Sequence, residues 1–299
     1  MTPLASRVIV LVGVALVAAI VVITRRAWLP AVGHTFPSVW RIACITVAEA
    51  RRRRVIQAVI ILVVLLLSSM TFFTYLSPME QARMIISSGL AAITVFGILL
   101  AIFVAAFLIP AEIENRTIYA ILSKPVKRFE FVLGKYLGAM IVLGAIVAVM
   151  TVVLVGVLAL QDRLVQDLPD SRFDPNLGPV ILAAVLSYFA LAVLTALIVL
   201  ISTVGSTTMT VISAFIIWAI GSLQSTIHDL AENAAGVSRL VLLVLYNVVP
   251  KLENFDIRHE VSNFMSISVV AAWEAILHGL GYIVVVLILA AIFFNDRQV

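Results

Sequence analysis

Long apolar runs dominate the chain, and polar residues gather in the gaps between them. Seven runs reach the length of a membrane span: residues 8–24, 55–76, 87–109, 131–160, 179–203, 207–223 and 267–295. A helix crossing a bilayer needs about 20 mainly apolar residues. It is also economical in lipid, because it satisfies its own backbone hydrogen bonds. None of the runs alternates as a membrane strand would. The pattern therefore predicts an all-α membrane protein. Two further stretches are apolar but too short or too mixed to cross. Residues 38–54 (SVWRIACITVAEARRRR) open near a Trp and close on four arginines, which predicts a helix lying along the inner interface before the chain turns into the next span. Residues 236–250 (GVSRLVLLVLYNVVP) are ended by Pro250 and read as a re-entrant or interfacial piece before the last span.

Composition agrees with this picture. Of 299 residues, 63% are hydrophobic and 12% charged, against roughly 45–50% and about 25% in soluble domains. One cysteine, Cys44, excludes an internal disulfide, and the four histidines are scattered without metal-ligand spacing. The net charge of +4 changes the picture only through its distribution. With the N-terminus outside, the inner segments hold thirteen of the 20 basic residues and a net charge of +8, while the outer segments, leaving out Glu274 within the last run, sum to −3. This is the basic excess of a cytoplasmic side, not a nucleic-acid surface. Arg25 and Arg26 follow the first apolar run instead of preceding it, which favours a retained anchor over a signal peptide. The chain then divides into a membrane anchor at 1–34 and a transmembrane domain at 35–299.

The most informative polar stretch is Pro110 to Gly138 (PAEIENRTIYAILSKPVKRFEFVLGKYLG), between two spans on the inner side. Pro110 suits the first turn of a helix, and Glu112 and Glu114 lie where the helix dipole favours acids. Glu112 and Arg116 are four apart and share a face. Pro125 stops the helix at Lys124, and the next span begins near Lys127. The result is a short helix standing across the ends of two spans.

The run Glu112-Ile113-Glu114-Asn115-Arg116-Thr117-Ile118, followed by Leu122-Ser123-Lys124-Pro125-Val126 and then Gly134-Lys135, resembles the permeases of ABC-2 type transporters. There the equivalent segment is a coupling helix that contacts the nucleotide-binding subunit. The resemblance implies an ATPase-coupling role for Glu112, Glu114, Asn115, Arg116, Thr117, Ser123, Lys124 and Pro125. The stretch holding Trp40, Glu49, Arg51, Arg52, Arg53 and Arg54 is similar to the family's cytoplasmic elbow helix, and Val249 to Phe255 to an outer pattern before its last span. The implied fold is a six-helix ABC-2 bundle with elbow helix, coupling helix and re-entrant outer segment, plus one extra N-terminal span.

Three weaker signals remain. Ser202 and Thr203, with Ser206, Thr207, Thr208, Thr210 and Ser213, form a hydroxyl-rich turn. It suits a transport pathway or a second ATPase contact, against the plainer reading of helix packing. Glu274 and His278 are four apart at the start of the last span, where a proton relay competes with a position at the outer interface. Gly134, Gly138 and Gly144 give close helix packing, which also suits a dimer interface.

The resemblance implies a multi-pass permease of the inner (cytoplasmic) membrane that exports an unidentified substrate. No phosphate-binding loop occurs in the sequence, so the chain is read as a non-enzyme without its own cofactor. ATP and Mg would be bound by a separate ATPase subunit. Other expected partners are a second permease copy or a homologous permease, membrane lipid and, on the outer segment, a periplasmic protein. A non-transporting mechanotransmission subunit is the alternative. An ion-coupled secondary transporter fits less well, since neither mid-membrane charges nor inverted repeats are evident.

Overall fold

A computed structural model of the chain describes residues 32–52, 54–69, 78–106, 127–165, 177–233, 238–240, 242, 246 and 249–296. The described residues form an α-helical assembly: α1 (Val32–Arg52), α2 (Arg54–Ser69), α3 (Pro78–Ala106), α4 (Arg128–Val165), α5 (Leu177–Val204), α6 (Thr207–Ser222), α7 (Gln224–Asn233), a 3-10 turn (Leu252–Phe255), α8 (Arg258–Ser262) and α9 (Val269–Asp296). Four of them, α3, α4, α5 and α9, are long and apolar enough to cross a membrane. The apolar run at 8–24 lies outside the described residues, as do residues 70–76 of the run at 55–76.

The span ends differ from the sequence expectation, for a physical reason. α3 begins at Pro78, not at residue 87, and α4 runs from Arg128 to Val165. Hydropathy marks where a helix meets lipid, whereas the hydrogen-bonded ladder continues through polar turns. In α3 the extra turns carry an Arg83–Glu80 bridge at 3.2 Å, spaced to support the helix.

The expected span at 207–223 falls on α6. α6 holds 16 residues, about 24 Å of rise, and then bends by 70° into α7. The pair is one broken span or a re-entrant loop, not a straight crossing. Close packing fixes the bend: a side chain added at Gly221 would meet Leu252 Cδ1 at 2.9 Å and the Pro250 carbonyl oxygen at 3.1 Å.

α5 is the central helix, buried along both halves from Val180 to Thr203. α3, α4, α6 and α9 pack around it. α1 lies against α4 through Val39, Ile42, Ala43, Thr46 and Ala50, the three- and four-residue spacing of one helical face. Trp40 and Ile45 on its other face are exposed.

Candidate functional site

The described polar chemistry concentrates at the basic end of the bundle, where α4 begins. The Lys127 backbone N–H donates to Glu130 Oε2 at 3.3 Å, the reach-back half of a capping box. Glu130 is buried. Arg128 Nη1 donates to the Phe294 carbonyl at 3.3 Å, placing a cation at the C-terminus of α9, where the dipole favours it. The rings of Phe131 and Phe294 stack at 5.5 Å and 18°. Lys135 is 1% exposed, and its Nζ lies 3.9 Å from Glu49 Oε2 of α1 and 5.7 Å from the Phe131 ring centre. The first two turns of α4 are thereby fastened to both α1 and α9.

Glycine makes that fastening close. A side chain at Gly134 would meet Ile42 Cβ at 2.7 Å and the Val39 carbonyl oxygen at 3.0 Å, and one at Gly138 would meet Thr46 Cβ at 2.6 Å. Gly144 faces the Tyr188 ring at 3.3 Å. Packing within the chain thus occupies these glycines, and the dimer-interface reading of the stripe falls away.

Of the elbow residues, Trp40, Glu49, Arg51 and Arg52 stand exposed on α1. Arg53 lies outside the described residues, and Arg54 opens α2 with its side chain outside them. Residues 107–126 also lie outside, so Glu112, Glu114, Asn115, Arg116, Thr117, Ser123, Lys124 and Pro125 are flanked by the described structure but not placed by it. The flanks are Ala106, which closes α3, and Lys127, which caps α4.

The hydroxyl-rich turn joins α5 to α6 at the same end of the bundle. Buried hydroxyls serve their own helices: Ser202 donates to the Val199 carbonyl at 2.7 Å, Thr203 to Leu200 at 2.7 Å and Thr210 to Ser206 at 2.9 Å. Ser206 Oγ caps α6 by accepting from the Met209 N–H. Thr208 is exposed, and Thr207 and Ser213 are half-buried.

At the opposite end, three fasteners hold the segment before α9. Gln224 Nε2 donates to the Val249 carbonyl at 2.8 Å, and the Ser225 N–H donates to Glu253 Oε2 at 3.0 Å. Arg258 Nε donates to Asp256 Oδ1 at 2.7 Å, with a second contact from Nη2 to Oδ2. Burial pushes the Asp256 carboxyl up, but the hydrogen bonds and charge of Arg258 outweigh it and hold it below its ordinary value. The Phe255 ring reaches in to 2.8 Å from where a Cβ on Gly279 would sit. Glu274 and His278 are exposed, and the His278 ring meets the Glu274 carbonyl at 2.7 Å, not its carboxylate. Among the described residues no three His, Cys, Asp or Glu side chains gather as a metal set.

Sequence reasoning missed Arg128, Glu130, Phe131 and Phe294. Only Glu130 had a local signal, an acid three residues after the cap. The Arg128–Phe294 bond joins positions 166 residues apart, and no local pattern announces it.

A family model described as "ABC-2 family transporter protein" matches residues 7–299, so the match takes in the first apolar run. No curated protein sequence matches the chain.

Proposed function

The chain belongs to the ABC-2 family of transporter proteins and is an ABC transporter permease, and from that premise we propose that it exports its substrate with energy from ATP hydrolysed by a separate subunit. The observation that carries this reading is the frame at the basic end. Residues 107–126 leave α3 and re-enter at the first two turns of α4, tied to α1 by Lys135 and to α9 by Arg128 and Phe131. A push on that segment from a docked ATPase would reach three helices at once. Its acids Glu112 and Glu114, with Arg116 and Lys124, supply charge for the contact. The exposed Thr208 and the cap Ser206 stand at the same end for a second, smaller contact, and Ser213 further along α6 is the member of the set left to line a path. In the functional unit, two permeases enclose that path in the cytoplasmic membrane. ATP and Mg belong to the ATPase.

The test is co-purification of the tagged chain with an ATPase, followed by ATP-dependent flux in vesicles containing the complex. Flux that needs ATP supports the exporter. An ATPase complex with no flux of any candidate substrate favours the mechanotransmission reading. For that reading the observation is the outer segment, which Gln224, Glu253 and Asp256 fasten into a preformed surface.

A further inference from the structure

The outer half of α3 carries a polar stripe that the transport reading does not use. Glu80, Arg83, Ser87 and Ser88 follow one another at the spacing of a single helical face. They line a cleft of 540 Å³ whose other wall is His259, Ser262 and Asn263. Ligand pockets typically measure about 300–1,000 Å³. Met84 and Ala91 add apolar surface to the cleft.

The charges in the cleft specify what that partner would be. Glu80 and Arg83 bridge through Arg83 Nη1 at 3.2 Å, and the two side chains are still 52% and 37% exposed. Arg83 Nε, by contrast, is shielded from solvent and meets no hydrogen-bond acceptor among the described residues. A buried donor in that state calls for an acceptor oxygen, and guanidinium is matched to phosphate. Beside it Glu80 offers an anion, so the complementary ligand carries a phosphate and a cation on one short frame. Arg83 lies about 7.5 Å along α3 from its first residue, close to where lipid headgroups begin.

We propose that this cleft binds an amine-bearing phosphate ester, presented to it as the headgroup of an outer-leaflet aminophospholipid. The phosphate sits at Arg83, the ammonium at Glu80, and the acyl chains run over Met84 and Ala91. The site rests on the orientation in the reading above, with the first residues of α3 outside.

The test is native mass spectrometry of the purified full chain, released from nanodiscs containing phosphatidylethanolamine and phosphatidylglycerol in equal amounts. The wild type retains phosphatidylethanolamine in preference. Arg83→Gln lowers retention of both lipids by roughly tenfold or more, the loss expected for a charge-assisted hydrogen bond. Arg83→Lys, which keeps the charge but not the fork, also loses retention. Glu80→Gln keeps the lipid and loses the preference. Ser87→Trp fills the cleft without changing its charge and abolishes retention, and an unchanged melting temperature shows that it has folded. Equal retention by wild type, Arg83→Gln and Ser87→Trp overturns the site. Displacement of lipid by an equal concentration of soluble glycerophosphoethanolamine overturns the lipid source in favour of the free ester. Labelling of Ser87→Cys by an impermeant maleimide reads the orientation separately: reaction only from the inside contradicts the topology, whatever lipid is retained.

Discussion

Lys135 is a cation withdrawn almost wholly from solvent, while its partner Glu49 is 45% exposed. Neutralising Glu49 leaves that buried ammonium facing an amide oxygen in place of a carboxylate, and Glu49→Gln is expected to cost roughly 1–3 kcal/mol. Lys135→Ala also removes a buried four-carbon stem from between α1 and Phe131 and is expected to cost roughly 2–4 kcal/mol. Thermal melting of the two variants in detergent checks both costs, and a Glu49→Gln variant that melts as the wild type does would mean that the carboxylate plays no part in holding α1 to α4. Asp256 behaves differently. Its folded pKa lies below the ordinary value because Arg258 outweighs burial. Its stabilising contribution is therefore complete above the ordinary aspartate pKa of about 3.9 and is lost as pH falls through and below that point. Asp256→Asn should melt lower than wild type at neutral pH and converge with it in acid. A gap that persists unchanged at low pH would show that the carboxylate's charge is not what fastens the outer segment.

At the scale of the element, the contact between α1 and α4 depends on the absence of side chains. Any group at Gly138 meets Thr46 and the Ala43 carbonyl within 3 Å, and backbone cannot step aside as a flexible side chain can. Gly138→Leu is expected to force α1 off α4 and so to speed alkylation of a cysteine placed at the buried Thr46 (Thr46→Cys in a Cys44→Ala background); an unaltered labelling rate would place the seat of α1 elsewhere. This contact also shows what a sequence makes legible. Helix α1 itself was readable as a helix, because Val39, Ile42, Ala43 and Thr46 recur on one face and Arg51 to Arg54 close the run. Its partner was not, since a glycine pair reads equally well as a seat within the chain or between chains. Likewise, apolar length located α3, α4, α5 and α9, yet it missed the first turns of α3 because helix continuity does not need lipid. It also passed over the bend after Ser222, which arises where Gly221 closes on Pro250 and Leu252. The clamp of Arg128 and Phe131 on Phe294 depends on a contact across the sequence, whereas the Lys127–Glu130 cap beside it follows from spacing alone.

For the whole molecule, the uneven charge favours one orientation. Asp167→Cys and Ser123→Cys should label from opposite sides of intact membranes, with Ser123 inside; labelling of both from one side would break the span order. Within that topology, the account turns on the segment that leaves Ala106 and returns at Lys127. If it couples to an ATPase, its acids belong to the partner's interface and not to the fold. Exposed charges add only about 0–1 kcal/mol to stability, whereas a partner charge left buried and unpaired costs roughly 2–5 kcal/mol of binding. The most direct measurement is ATPase activity and ATP-driven flux of the reconstituted complex carrying Glu112→Ala with Glu114→Ala, beside wild type. The account predicts a double variant that expresses and melts as wild type does, yet binds the ATPase weakly or hydrolyses ATP without flux. A double variant that assembles, hydrolyses and transports as wild type does would contradict it.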